Sequence, residues 1–412
     1  MNNLIYKITD SPKTIKEYLL YGAQQCISIL TATILISSIC KTNVAAGLVG
    51  AGCATIVFQI LTNFKAPLFF SNSGSTCAAV ILALSIGHDY TGVILGGITI
   101  CIMNTIAALI TKKIGSSWVN KLLPPHVAGT IVLIIGLNLA GFCTTYIGMG
   151  GDKELIGMIV AFITMIITVL CMYYCKGMLS TLPFLLGMAG GYIVSIMFGL
   201  VDFSIFKDMY LIIKPDFAFL HCDFINFDWS LALQIILAFA AVNLANIGEH
   251  ISDVLAVSSV VDEDLTKTVG LHKTFFGDGV ADLVGTVIGG QPTTTYSESL
   301  STIAVSRVAS TRLIATAAVM TILLGFFGPF NALVLSIPMP VFGGVALVAY
   351  GCIAFSGVKV LHKVDLSTKN MIIIAVMLTT GVSGIAFNIG NFSLTTIALS
   401  MITGLVLNLI LK

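Results

Sequence analysis

Two glutamates stand inside apolar sequence that is long enough to cross a membrane. Glu249 lies in LALQIILAFAAVNLANIGEHISDVLAVSSVV, and Glu298 follows a polar break in TTYSESLSTIAV. A carboxylate within a membrane span is costly and marks a transport pathway or a proton relay by default. The alternative for Glu249 is an exposed helix end, and the alternative for Glu298 is a carboxylate that stabilises a helix N-terminus. We predict that both side chains bind a substrate and carry protons.

Four further ionisable groups lie near the two glutamates in the sequence. Asp253 follows Glu249 by four residues and therefore shares its helical face, so it is a candidate for proton coupling. His250 is a weaker candidate, because neighbours on a helix point about 100° apart. Asp278 and Asp282 are also four residues apart, and a structural pairing is as consistent with the sequence as a role in ion coupling.

Two apolar segments begin with a proline and an irregular stretch. One is APLFFSNSGSTCAAVILAL, with Pro67, and the other is GQPTTTYSESLSTIAV, with Pro292. Irregular backbone at membrane depth is tolerated only where it is buried in protein or lines a cavity. The alternative is an extramembrane loop followed by a short helix. A helix that begins at such a break directs backbone N–H groups into the protein. Carboxylate acceptors and N–H donors together match a planar ring with two N–H and two carbonyl groups.

The composition requires a membrane environment. Of the 412 residues, 57% are hydrophobic and 9% are charged, whereas soluble domains carry about 25% charged residues. The net charge of +1 gives no reason to expect nucleic acid, and ten scattered cysteines without a CxxC predict neither disulfides nor a metal site. The N-terminus lacks a secretory signal. Apolar windows of about 20 residues predict fourteen spans: 17–40, 44–62, 68–87, 91–111, 126–145, 155–175, 180–200, 231–255, 272–290, 294–308, 312–332, 338–357, 370–386 and 394–411.

The charges of the loops test this count and give an orientation. If the N-terminus is cytoplasmic, the outer loops carry only four of the 20 Lys and Arg residues, which are Lys41, Lys153, Lys207 and Lys214. Cytoplasmic loops carry an excess of Lys and Arg. We therefore expect both termini to be cytoplasmic. Fourteen spans divide into two sets of seven in opposite orientation, an arrangement typical of secondary transporters, and interrupted spans at matching positions mark the binding site.

The motifs GEHISDV, QPTTTYSES and IPMPVFGGVALVAYG resemble the bacterial uracil permeases of the nucleobase–ascorbate transporter family, also called nucleobase:cation symporter-2. The resemblance covers nearly the whole chain. It implies an all-α polytopic membrane protein with two inverted seven-span repeats and short antiparallel β-strands in spans 3 and 10. It also implies a core domain, a gate domain and an outer loop. The core domain would comprise 14–115 and 229–332, the loop 206–228, and the gate domain 116–205 and 333–412.

The resemblance also implies roles for individual residues. Glu249 and Glu298 match the two substrate-binding glutamates of the family. The other residues that it places at the substrate are Ser297, Tyr296, Ala32, Tyr350 and Gly74. Three positions depart from the family: Gly74 stands where the pattern has Phe, while Asp253 and Gln25 stand where it has His. These departures leave the aromatic contact with the base and the path of the proton open.

The family implies a secondary active transporter that imports a nucleobase, uracil in first place, by proton symport and alternating access. It implies a multi-pass protein of the cell (plasma or inner) membrane, no cofactor, and a homodimer formed through the gate domain. The coupling ion, H⁺ or Na⁺, stays open. The alternatives are a purine permease for xanthine or urate, and an anion transporter or channel on the same fold. An intramembrane enzyme is disfavoured, because FGDG does not reproduce GxGD and HExxH and GxSxG are absent.

Overall fold

A computed structural model describes residues 4–115, 118, 124–147, 154–207, 209–362, 364–385, 387–389, 392–394 and 396–411. Lys153, which the sequence places in an outer loop, lies outside them. The described residues form fifteen helices of eight residues or more: α1 (Ile15–Cys40), α2 (Val44–Leu61), α3 (Cys77–Gly87), α4 (Thr91–Ile114), α5 (Pro125–Tyr146), α6 (Glu154–Tyr174), α7 (Pro183–Met197), α8 (Ala232–Val261), α9 (Leu271–Gly289), α10 (Ser297–Ser306), α11 (Thr311–Phe326), α12 (Gly328–Leu335), α13 (Met339–Leu361), α14 (Thr368–Val382) and α15 (Thr396–Ile410).

Local sequence signals set several of the helix ends. Thr14 caps α1 and exchanges hydrogen bonds with Glu17, the arrangement known as a capping box. Lys41 then ends α1 in a left-handed conformation, and the side chain of Asn43 caps α2. The first two helices are therefore joined by a tight turn and run antiparallel.

Six of the described helical segments are long and apolar enough to cross a membrane. They are Ile15–Cys40, Val44–Leu61, Thr91–Ile114, Glu154–Tyr174, Trp229–Val261 and Met339–Leu361. Shorter apolar helices, among them α3, α7 and α11, pack between them. Large apolar side chains on α6, such as Leu155, Phe162 and Leu170, are exposed, as expected for a surface that faces lipid.

The helices pack into two groups. In the first, α2 packs on α9 and α11, and α9 packs on α4; in the second, α13 packs on α5 and α6, and α14 packs on α5 and α15. Small residues allow the backbones to approach. A Cβ atom at Gly50 would lie 2.9 Å from the carbonyl oxygen of Gly285, and one at Gly357 would lie 2.5 Å from the carbonyl oxygen of Gly129. Association inside a membrane depends on this kind of close packing.

Two buried strands meet in the middle of the molecule. β1 (Phe70–Asn72) pairs with β2 (Thr293–Thr295) in antiparallel register, with Ser71 opposite Thr294. β1 precedes the short helix α3, and β2 precedes the short helix α10. A second antiparallel pair, β3 (Phe387–Ile389) with β4 (Phe392–Leu394), lies between α14 and α15.

The close contact between α2 and α9 leads to a first prediction. Gly50→Leu would force two backbones apart, and overpacking of this kind costs about 1–3 kcal/mol, so we expect a lower melting temperature in detergent. Gly141→Leu is the matched control, because a Cβ atom at Gly141 meets nothing within 4 Å. Equal melting temperatures for the two variants would contradict the packing described here.

Candidate functional site

A cavity of about 640 Å³ lies between α5 and α13 of the second group on one side and α1 and α8 on the other, which pack on α11 and α4 of the first group. Its wall is formed by α1, α5, α8, α13, the start of α7, and the segments around β1 and β2. The cavity extends to Pro125, Pro183 and Val360, which lie at the start of α5, the start of α7 and the end of α13. It therefore reaches from the middle of the molecule towards one face.

All seven residues expected at the substrate line this cavity: Ala32, Gly74, Glu249, Tyr296, Ser297, Glu298 and Tyr350. Asp253, a candidate for proton coupling, lines it as well. Glu249 lies on α8 and is exposed to the cavity, while Glu298 lies in the first turn of α10 and is half-buried. The described residues that line the cavity thus include three carboxyl groups, and they include no Lys, Arg or His. The cavity is polar at its centre and has an acidic wall.

Asp253 ties α8 to the beginning of α10. Its carboxylate accepts hydrogen bonds from Thr295 Oγ1 at 2.5 Å and from Ser297 Oγ at 3.3 Å. Thr295 ends β2, and Ser297 begins α10 immediately before Glu298. Asp253 lies one helical turn from Glu249 on α8. It therefore fixes the backbone that presents Glu298.

Two further contacts, which the sequence did not lead us to expect, hold the same region. The Oγ of Ser75, between β1 and α3, donates to Asn246 Oδ1 at 2.7 Å, and Ser299 Oγ donates to Gln25 Oε1 at 2.9 Å. Asn246 and Ser75 line the cavity. A signal was present, since Asn246 precedes Glu249 by three residues and shares its helical face. No comparable pattern marked Ser75.

Tyr350 and Gly74 also form part of the wall. Tyr350 is fully buried, and its hydroxyl has no hydrogen-bond partner among the described residues. A Cβ atom at Gly74 would lie 3.4 Å from Ile36 Cδ1 and 3.6 Å from Ile353 Cδ1. These are ordinary van der Waals distances, so the two isoleucines line the wall beside Gly74, where the family pattern has an aromatic ring.

The structure does not bring His250 to the cavity. Its ring is fully buried on the other side of α8, with Nδ1 3.1 Å from Asp278 Oδ1, and it packs on Phe275. Asp278 also accepts a hydrogen bond from Asn104, and Asp282 accepts one from Thr293. Neither aspartate has a Lys or Arg partner among the described residues. His250 therefore lies outside this cavity, and its role in proton coupling stays a prediction.

A second cavity, of about 920 Å³, lies at the opposite end of the molecule. Tyr146 lines it, and its Oη donates to the carbonyl oxygen of Ile39 at 2.6 Å, which joins α5 to α1. The loop before α8 covers it, because the N–H of Tyr90 donates to the carbonyl oxygen of His221. In this loop, hydrogen bonds led by that from the Asn226 side chain lower the pKa of Asp223.

The sequence matches the Permease family over residues 16–390. The chain belongs to this family. This permease is 35% identical to the uracil permease of Bacillus caldolyticus over an alignment that covers 100% of this chain and 95% of that relative. It is 33% identical to the uracil permease of Escherichia coli, with 94% of this chain and 90% of that protein covered. It is also 28% identical to RutG of Escherichia coli, a putative pyrimidine permease, with 95% and 88% covered.

Solved structures with the same fold share little sequence with this permease. The transmembrane domain of the cyanobacterial bicarbonate transporter BicA has a TM-score of 0.62 and 16% identity, with 97% of this chain and 98% of that chain covered. The murine anion transporter Slc26a9, in its inward-facing state, has a TM-score of 0.68 and 9% identity, with 97% and 69% covered. At these identities the likeness shows the fold alone. With its apolar helices, the permease is a multi-pass membrane protein.

Two of the buried tyrosines, Tyr146 and Tyr350, give a second prediction. Tyr350→Phe removes a hydroxyl that has no partner in the described structure, so we expect an unchanged or higher melting temperature. Tyr146→Phe is the matched control, since it removes the hydrogen bond to Ile39, and such bonds contribute about 0.5–1.5 kcal/mol. Thermal unfolding in detergent measures both. A larger decrease in melting temperature for Tyr350→Phe than for Tyr146→Phe would show that the Tyr350 hydroxyl has a structural partner.

Proposed function

We propose that this permease is a secondary transporter that imports uracil together with a proton. The observation that carries the proposal is the placement of Glu249 and Glu298 in one cavity, beside the start of α10. The names of its relatives support the choice of substrate. The protein would act at the cell membrane, without a cofactor and without catalysing a reaction.

The wall of the cavity offers the groups that a pyrimidine base needs. Two glutamates supply acceptors for its ring N–H groups. The first turn of a helix has N–H groups without intrahelical partners, so the start of α10 at Ser297 offers a donor for a carbonyl oxygen. The orphaned hydroxyl of Tyr350 is a further donor or acceptor on the wall formed by α13. Ala32, Tyr296 and Gly74 would supply the apolar and small surfaces around the ring.

Protons would be carried by the carboxyl groups of the cavity. Uracil is neutral, so a proton that binds with it adds one positive charge to the acidic wall, where Glu249, Glu298 and Asp253 lie. Buried carboxylates without a basic partner favour proton binding, because an uncompensated charge is costly at membrane depth. His250 has no contact with the cavity, so any contribution from it would pass through Asp278. Sodium is the alternative coupling ion, and ionophores specific for each ion distinguish the two.

We further propose that the two groups of helices are the core and gate domains of an alternating-access transporter. Fourteen spans in two inverted sets of seven would account for the antiparallel meeting of β1 with β2. With both termini in the cytoplasm, the 640 Å³ cavity would open inward and the Tyr146–Ile39 hydrogen bond would close the outer side. A homodimer through the gate domain would leave the core free to move.

Two other substrates deserve comparison. A purine permease would present the same fold, and Glu298 followed by Ser299 favours a pyrimidine over xanthine or urate. The solved structures with this fold include transporters of anions. An anion is disfavoured here, because the described wall of the cavity carries carboxyl groups and no basic side chain.

Replacing the glutamates tests the proposal directly. Glu249→Gln and Glu298→Gln each remove a charged acceptor, and hydrogen bonds to charged groups contribute about 1.5–3 kcal/mol. We therefore expect a loss of roughly 10-fold to 100-fold in uracil affinity, measured by binding to the purified protein and by uptake of labelled uracil. Glu263→Gln, at a described position beyond the end of α8 and outside the cavity, is the control. Wild-type uptake by both glutamine variants would remove the core of the proposal.

Competition uptake tests the choice of base. Unlabelled uracil should block uptake of labelled uracil far more strongly than an equal concentration of xanthine does. A protonophore should abolish accumulation in the wild type. Stronger block by xanthine would identify a purine permease. Uracil accumulation that depends on a sodium gradient would identify sodium, instead of the proton, as the coupling ion.

A further inference from the structure

A second group of polar side chains is buried behind α8, away from the cavity. The rear cluster consists of Asn104 on α4, Asn243 and His250 on α8, and Asp278 on α9. Each of these side chains is at least nine-tenths buried, and none lines either cavity described above. The rings of Phe58 and Phe275 pack on His250. The cluster is thus a polar island in an apolar part of the core.

Hydrogen bonds connect the cluster but leave it incomplete. Asn243 Nδ2 donates to Asn104 Oδ1 at 3.0 Å, and Asn104 Nδ2 donates to Asp278 Oδ2 at 2.8 Å. His250 Nδ1 lies 3.1 Å from Asp278 Oδ1, but the two groups are not aligned for a hydrogen bond. Four buried atoms therefore have no hydrogen-bond partner among the described residues: His250 Nδ1, His250 Nε2, Asp278 Oδ1 and Asn243 Oδ1.

Four unpaired polar atoms are not expected in a cluster whose only role is to hold α4, α8 and α9 together. A buried polar atom without a partner costs about 1–3 kcal/mol, and such atoms need a specific explanation. The cost is greatest for an ionised Asp278, because its nearest ionisable neighbour that can carry a positive charge is His250. The other charged groups of the surrounding elements do not compensate it. Glu249 and Asp253 on α8 and Asp282 on α9 are acidic. The basic groups lie towards one end of their helices: Lys112 and Lys113 on α4, and His272 and Lys273 on α9.

We propose that His250 and Asp278 form a second proton-binding site, which takes up and releases one proton during the transport cycle. This proposal rests on the proposed proton symport. With the proton bound, the pair is neutral, either as a carboxylic acid beside an imidazole or as a carboxylate beside an imidazolium. Without it, the pair carries one negative charge. The proton enters from the solution on one side of the membrane and leaves to the solution on the other side. Only N–H and O–H bonds form or break in this step.

The position of the pair connects it to the substrate. His250 follows Glu249 directly, so the two side chains leave one turn of α8 about 100° apart, one towards the cavity and the other towards the rear cluster. A shift or rotation of α8 that realigns His250 with Asp278 must also move Glu249 in the cavity. Substrate binding in the cavity would therefore change the contact between His250 and Asp278 by moving α8, although neither residue touches the substrate. His250 and Asp278 are positioning and proton-carrying residues in this scheme, and Glu249 and Glu298 remain the groups that touch the base.

Reconstituted protein in proteoliposomes tests the site. Asp278→Asn keeps the size of the side chain and the contact with Asn104 but removes the proton-binding carboxylate, and His250→Gln removes the imidazole. We expect both variants to exchange labelled uracil across the membrane and to keep the proton carried by the cavity wall, but to lose the proton carried by this pair, so that proton influx per uracil, measured with an internal pH dye, falls clearly below that of the wild type. Asp282→Asn is the matched control, because this buried carboxyl lies one turn further along α9 and contacts Thr293 instead of His250.

The outcomes separate this proposal from the proposed function. Wild-type proton influx in Asp278→Asn overturns the second site and leaves uracil transport intact. If Asp278→Asn does not fold, His250→Gln decides by the same measurement. If the wild type exchanges uracil without moving protons, the symport and the site are both wrong. If the wild type does not bind uracil, the site is judged by acid–base titration of the purified protein, in which Asp278→Asn should release one proton fewer than wild type and equal release overturns the site.

Discussion

Two stretches of extended backbone in the middle of this protein must satisfy their N–H and C=O groups where water is scarce. Unpaired backbone groups at membrane depth cost several kcal/mol each. β1 and β2 solve this by pairing with each other, and the pairing continues beyond the strands, since Ser73 N–H donates to Pro292 O and Tyr296 N–H donates to Phe69 O. The rest of the site depends on this pairing. It holds two distant parts of the chain together and sets where α3 and α10 begin.

Side chains then lock the paired segments to the long helices on both sides. The hydroxyls of Thr33 on α1 and Ser71 on β1 lie 2.7 Å apart, and Asp253 on α8 accepts from Thr295 at the end of β2. Because the strands are short, these contacts decide the exact orientation of α10. Glu298 is presented from its first turn, where the helix dipole and free N–H groups also point. The start of α10, fixed by the paired strands, therefore gives the cavity both an acceptor, the Glu298 carboxyl group, and backbone N–H donors.

The sequence allowed much of this to be predicted. The breaks at Pro67 and Pro292 led to the segments that pair, and the cost of a buried carboxylate led to Glu249 and Glu298 in the cavity. What could not be predicted was which neighbours meet across the helices. The direction of His250 depends on the rotation of α8 about its axis, and the contacts of Asp278 with Asn104 depend on how α9 packs on α4. Small residues such as Gly50 and Gly285 set that packing, and an isolated glycine in an apolar span does not reveal its partner. Ser75 was missed for the same reason, whereas Asn246 shares the helical face of Glu249 and could have been found from the sequence.

α8 is unusual because it is polar on two sides. Asn246, Glu249 and Asp253 face the cavity, whereas Asn243 and His250 face the rear cluster. A helix buried among others is normally apolar on the faces that it packs against, so each polar side has a cost that the packing of α4, α9 and β2 must offset. Only one buried histidine stands among the five carboxyl groups at positions 249, 253, 278, 282 and 298. Carboxyl groups this close together repel one another when ionised, and the described residues around them offer no Lys or Arg partner. The electrostatic balance around α8 therefore depends on the distances between these groups, which a ligand in the cavity or a movement of α8 would change.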